Sequence, residues 1–300
     1  MKKFSWNVYI AMVFSMLFWG FSFIWSKIVF EVFPPISTIL LRLIISSIFL
    51  VLIGLALKRL QKIHKEDFKN LLLLAFFQPF LYFLGENLGL FHVSSTVAAV
   101  VIATIPLFTP IAAYWFFRER LSPMNIAGIA LSVFGVVLVI LKPDLTFTVS
   151  IVGILYLALA VAAAVAYSVV VVKLSDRYTA FSLITYQNII GAFYFIPLVL
   201  VLEPRAILDA QITFKAIAAL LQLAILASSL AYMLFIFGVQ KLGMSRASAF
   251  ANSIPVFTAM FAYVVLGEKL FLVNMVGIAL VIGGLLLAQV RFRRYQQETP

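Results

Sequence analysis

The chain has 300 residues, of which 64% are hydrophobic and only 11% charged, and its mean hydropathy is +1.14. A soluble domain runs at roughly 45–50% apolar and ~25% charged, so an ordinary globular fold is excluded. Lys and Arg number 22 against 11 Asp and Glu, a net charge of +11. There is no cysteine, which excludes disulfides, thiolate metal sites and a cysteine nucleophile.

A bilayer-spanning helix needs about 20 apolar residues, so the composition leaves room for nine or ten. The runs are continuous rather than alternating, which rules out a β-barrel. In chain order the predicted spans are Val8–Ile28, Ile36–Leu57, Asn70–Phe91, Ser95–Phe117 and Asn125–Leu141, then Ile151–Val172, Phe181–Leu202, Phe214–Val239, Ala247–Leu266 and Val273–Val290. The expected fold is all-α, a polytopic membrane protein of ten transmembrane helices. The first run is too long and too aromatic for a cleaved signal peptide, with Phe18, Trp19, Phe21, Phe23 and Trp25, and it lacks a small-residue cleavage site.

Counted over alternate loops, sixteen Lys and Arg fall on one side, five on the other, and Arg42 alone lies within a span. The positive-inside rule then places both termini in the cytoplasm, and the basic surplus reads as topology rather than as nucleic-acid binding. His64 and His92 lie near segment ends and form no metal cluster.

The chain repeats itself. Ile105-Pro106-Leu107-Phe108-Thr109 matches Ile254-Pro255-Val256-Phe257-Thr258 at an offset of 149, which also relates Glu119 to Glu268, Asn125 to Asn274, Gly128 to Gly277 and Gly135 to Gly284. Earlier parts align at 145–146, pairing Ser22 with Ser168, Lys27 with Lys173 and Arg42 with Gln187. Five helices per half is an odd number, so the second half must cross the membrane in the opposite sense. Two inverted five-helix repeats, residues 1–145 and 146–300, are the arrangement of many secondary transporters.

The segment Phe18-Trp19-Gly20-Phe21-Ser22-Phe23 with Lys27, the early Arg42, and the paired Pro106…Glu119-Arg120-Leu121 and Pro255…Glu268-Lys269-Leu270 blocks resemble the drug/metabolite transporter superfamily. The match is to its ten-helix branch with two EamA-type domains, over about Trp6 to Val290. Phe117-Arg118-Glu119 departs from that family's usual Leu-Gly-Glu. The resemblance implies a multi-pass carrier of the bacterial inner (plasma) membrane that exports amino acids or other small metabolites. It implies no cofactor and no nucleic-acid partner.

Candidate functional residues are the polar ones set deep in apolar runs. Arg42 and Glu86 lie at matching depths, so an ion pair or a coupling site is expected there, because charge inside a bilayer is costly unless paired or used. Trp19, Ser22 and Ser26 share one face of the first helix and are expected to line a pathway with Asn87, Thr104 and Asn252. Pro106 and Pro255 are expected to kink their helices and free the carbonyls of Ile102 and Ala251, as hinges. Glu119 and Glu268 are placed at helix ends, for capping or gating. An alternative function is a proton-coupled multidrug or organic-cation exporter that uses Glu86. An enzyme is not expected, because no nucleophile–base or metal constellation lies within the spans.

Overall fold

The computed structural model describes residues 6–108, 123–140, 150–175, 177–242 and 250–289. They form apolar helices, and no strand occurs among the described residues. The helices are α1 (Trp6–Phe30), α2 (Pro35–Ala56), α3 (Lys65–His92), α4 (Ser95–Phe108), α5 (Pro123–Ile140), α6 (Ile151–Ser175), α7 (Ala180–Leu202), α8 (Phe214–Gly238), α9 (Ile254–Leu266) and α10 (Leu272–Gln289). Six of these are long and apolar enough to cross a bilayer alone, and α4, α5, α9 and α10 are shorter apolar helices. The protein is an all-helical polytopic membrane protein. Expected residues Thr109, Arg118, Glu119 and Arg120 lie outside the described residues.

The helix contacts come in matched sets. α1 packs on α8 and α9, and α6 packs on α3 and α4. α2 packs on α8 as α7 packs on α3, while α2·α7, α4·α9 and α5·α10 join equivalent helices directly. Exchanging the first five helices for the last five maps these contacts onto one another. In membranes such contacts depend on close backbone approach and hydrogen bonds rather than on hydrophobic driving force. The α5·α10 seam shows both. A Cβ on Gly135 would stand 2.7 Å from the Gly277 carbonyl, and one on Gly277 would stand 2.7 Å from the Gly135 carbonyl. Beside them the Ser132 hydroxyl donates to the Val281 carbonyl at 3.1 Å and Asn274 Nδ2 donates to the Val139 carbonyl at 2.9 Å.

Loop contacts agree with ten crossings, because each joins loops on the same expected side. At the end where α1 finishes, Lys215 pairs with Glu31 at 3.2 Å, and Glu203, which follows α7, accepts from the Ile36 and Ser37 amides that open α2. At the opposite end residues 57–67 form a strap across the α6–α7 turn. Gln61 accepts from the Thr179 amide, Tyr186 donates to the Gln61 carbonyl, and Tyr178 donates to Asp67 at 2.8 Å while accepting from the His64 amide at 3.0 Å.

Four helices are interrupted, in two equivalent pairs. α3 widens over Phe76–Leu81, where Gln78 leaves helical geometry (φ −145°, ψ 120°), and α8 widens over Leu223–Leu230. α4 breaks into a turn at 103–104, and the helical residues 250–251 break into the equivalent turn at 252–253, from which α9 starts. The prolines are therefore not bends in continuous helices. Pro106 and Pro255 are the second residues of helical segments that restart at Ile105 and Ile254, where a missing N–H costs nothing.

Candidate functional site

The breaks in α4 and α9 are built alike. The Thr104 hydroxyl and amide both donate to the Val101 carbonyl, and the Ser253 hydroxyl and amide both donate to the Phe250 carbonyl. A hydroxyl three residues after a carbonyl closes a tight turn on itself and competes with helix continuation. The proline two residues on then fixes where the helix can resume. The sequence motif Thr/Ser-Ile-Pro thus encodes a break, with Ala103 and Asn252 at its first position.

Asn252 is 4% exposed, and among the described residues neither its Nδ2 nor its Oδ1 has a hydrogen-bond partner. A buried amide left without partners is costly, about 1–3 kcal/mol for each group. Asn87 is half satisfied: Nδ2 donates to the Phe83 carbonyl at 2.9 Å, and Oδ1 has no partner among the described residues. Ser47 and Ser95 also bury hydroxyls without a partner among the described residues, but Asn252 is the one residue with two such atoms, and it lies in the break itself.

Arg42 and Glu86 do meet. Arg42 Nη1 lies 3.9 Å from Glu86 Oε2, and the residues are 4% and 8% exposed. The separation is longer than the 2.7–2.9 Å of a charge-assisted hydrogen bond, so the contact is a loose one. Each partner is held from elsewhere. The Tyr82 hydroxyl donates to Glu86 Oε1 at 2.8 Å from one turn earlier on α3. Arg42 Nε donates to the Ser228 hydroxyl, and the guanidinium lies 4.1 Å from the centre of the Phe83 ring, a cation–π contact. Among the described residues its Nη groups form no hydrogen bond.

The serines of α8 explain why Arg42 stands where it does. The Ser228 hydroxyl has one proton, which it donates to the Leu223 carbonyl at 3.0 Å, so it can only accept from Arg42. Ser229 likewise donates to the Ala224 carbonyl at 3.1 Å and accepts from Ser46, which accepts from Asn188 Nδ2. Both chains end on carbonyls of the wide turn. Wide turns and serine hydroxyls are the means by which membrane helices re-satisfy a disturbed backbone. Two neighbouring serines in an otherwise apolar run were the available sequence signal for this feature, as was Tyr82 four residues before Glu86.

Trp19 packs against aromatic side chains of α8. Its ring lies 5.1 Å from Tyr232, edge-on, and 5.2 Å from Phe235. The Tyr232 hydroxyl accepts from Gln78 Nε2 at 2.9 Å, which connects this aromatic group to the break in α3. One residue on, the Gly20 carbonyl accepts from Thr258 at 3.2 Å, which connects α1 to the restarted half of α9. Ser22 is buried but turns its hydroxyl back to the Trp19 carbonyl at 2.7 Å, and Ser26 is buried as well.

Glu268 is brought to α4 rather than to the central residues. Its carboxylate accepts from the Ser95 amide (2.7 Å), the Thr96 amide (3.3 Å) and the Thr96 hydroxyl (2.9 Å). A negative charge at a helix N-terminus is favourable, and Glu203 does the same for α2. Sequence reasoning placed Glu268 at a helix end but missed the helix that it caps, and it missed Glu203 altogether. No group of three His, Cys, Asp or Glu able to hold a metal ion occurs among the described residues.

A membrane bundle of two equivalent sets of helices, with matched breaks and polar side chains collected beside them, has the architecture of a carrier. The EamA-like transporter family model matches residues 6–141 and again residues 151–289, and the chain belongs to that family, within the drug/metabolite transporter superfamily. It is similar to an uncharacterised transporter of Archaeoglobus fulgidus, 28% identical over 92% of this chain and 96% of that one. It is also similar to the uncharacterised transporter YetK of Bacillus subtilis, 24% identical over 95% of this chain and 87% of that one. A crystal structure 18% identical in sequence, which covers 94% of this chain and 96% of its own, shares the fold with a TM-score of 0.68.

Proposed function

We propose that this transporter is a secondary carrier of the bacterial inner (plasma) membrane, with both termini cytoplasmic, that exports amino acids or closely related metabolites by alternating access. The observation that carries the reading is the loose Arg42–Glu86 pair with unengaged guanidinium Nη groups. A zwitterion offers a carboxylate to Arg42 and an ammonium to Glu86, replacing one slack contact with two short ones. A cation alone would meet Arg42 as a like charge, which weighs against the organic-cation reading. Trp19, Tyr232 and Phe235 form an aromatic wall beside Gln78, suited to an apolar or aromatic side chain. Asn252 and the Oδ1 of Asn87 supply further donors and acceptors that have no partner among the described residues.

The two halves, residues 1–145 and 146–300, would act as units that exchange conformations, with the breaks in α3, α4, α8 and α9 absorbing the movement. The test is flux in proteoliposomes for a panel of amino acids, amines and carboxylates, with and without a pH gradient. The reading requires saturable flux of at least one zwitterion. Dependence on the gradient that disappears in Glu86→Gln would add a proton to the cycle. Saturable flux of amines alone would overturn the zwitterion assignment.

A further inference from the structure

A second charged region lies away from the central pair, at the end of the bundle where α1 and α3 finish and α4 begins. It surrounds a cavity of about 440 Å³, within the usual range for small-molecule sites. The ionisable side chains lining it are Lys27, His92, Glu268 and Lys269. The one carboxylate among them is already occupied, because Glu268 takes three donors from the start of α4. Lys27 and Glu268 line the same cavity, and among the described residues Lys27 forms no hydrogen bond or ion pair. It is half-buried, so its ammonium is only partly served by water. Apolar side chains, Phe91, Val97 and Leu270, complete the walls.

We propose that this vestibule binds a small organic carboxylate, with the anionic head on Lys27 and Lys269 and the apolar part against Phe91 and Val97. The charge balance gives the sign of the ligand. Among the described residues two lysines line the space against one carboxylate, whose oxygens are already engaged and whose charge is partly offset by a helix N-terminus, so an anion gains where a cation does not. The apolar walls favour an organic acid over a bare inorganic anion. The site is separate from the Arg42–Glu86 pair and stands whether or not that pair carries a zwitterion.

The test is calorimetric titration of the purified full-length protein, in a neutral detergent at constant ionic strength, with acetate, 3-phenylpropionate and methyl 3-phenylpropionate. Saturable binding is expected for 3-phenylpropionate, weaker for acetate and absent for the ester. Loss of a charge-assisted contact is worth about tenfold in Kd, so Lys27→Gln should weaken binding by roughly that factor and Lys27→Arg should retain it. Lys269 is exposed, so Lys269→Gln keeps the test available if the first variant does not fold, and it should weaken binding several-fold. Arg42→Gln separates the two sites. If it abolishes the signal while Lys27→Gln leaves it intact, the anion sits at the central pair and the proposal fails. Equal binding of ester and acid would also overturn it. Displacement by phosphatidylglycerol at concentrations that leave phosphatidylcholine inert would assign the site to a lipid phosphate instead of a solute.

Discussion

Replacing Glu86 with Gln removes one charge from a pair whose closest atoms are 3.9 Å apart, and the effect on substrate choice follows from that geometry. At an effective dielectric of about 20 the attraction between unit charges at this distance is about 4 kcal/mol before desolvation is subtracted. What remains of a charge-assisted contact after desolvation is about 1.5–3 kcal/mol, or roughly tenfold to a hundredfold in affinity. In Glu86→Gln that loss should fall on the ammonium of a zwitterion and spare its carboxylate. Competition counterflow with phenylalanine, 3-phenylpropionate and phenethylamine as competitors reads this directly. The unmodified protein should prefer the zwitterion. Glu86→Gln should bring the zwitterion down to the level of the carboxylate analogue, and Arg42→Gln should bring it down to the level of the amine. A uniform loss across all three competitors in Glu86→Gln would mean that the carboxylate holds α3 in place and touches no substrate, and the reasoning would be refuted.

Other variants test the frame around the pair. Ser228→Ala removes the acceptor of Arg42 Nε and the donor to the Leu223 carbonyl together; transport should fall about tenfold or more, with folded protein retained by gel filtration. Gly277→Ala sets a Cβ 2.7 Å from the Gly135 carbonyl and 2.8 Å from the Val139 amide, both backbone atoms, so overpacking should cost about 1–3 kcal/mol and lower the melting temperature in detergent. Glu268→Gln weakens the cap on α4 and should lower thermal stability by about 1 kcal/mol, without changing discrimination among substrates. Tyr178→Phe unties the strap from Asp67 and His64 and should speed tryptic cleavage at Lys58–Lys65.

The ten helices were legible because a bilayer imposes one strong rule, a long apolar run for each crossing, and because proline, glycine and glutamate recur at a fixed offset. The Arg42–Glu86 meeting was legible too, since two helices of opposite sense put equal counts of residues between each charge and the same face. The breaks were not read correctly. A proline in an apolar run looks like a kink, and only the Thr104 and Ser253 hydroxyls, each bonding back three residues, show why the chain turns before it. The wide turns of α3 and α8 carry no sequence period at all. The capping of α2 by Glu203 joins residues 166 apart, and nothing local in the sequence indicates it.

The repeat is most informative where it fails. Where helices pack, the halves match: Gly135 faces Gly277, and the Thr104 turn repeats at Ser253. Around the candidate site they do not. The equivalent of Arg42 is Gln187, the same offset that relates Gly89 to Gly238 pairs Glu86 with Phe235, and Asn252 corresponds to Ala103. On the alternating-access reading proposed above, a two-fold backbone would let each half adopt the other's shape and so open the site to either side. A two-fold set of side chains would present identical chemistry to both ends of a ligand, and an amino acid has a cationic end, an anionic end and a side chain. A single bound zwitterion therefore needs symmetry in the frame and its absence in the site. Restoring symmetry with Gln187→Arg should test that distinction: added charge beside Tyr167, which donates to Gln187 at 3.4 Å, is expected to reduce zwitterion flux at least tenfold while the protein still folds. Undiminished flux would show that the two halves need not differ there.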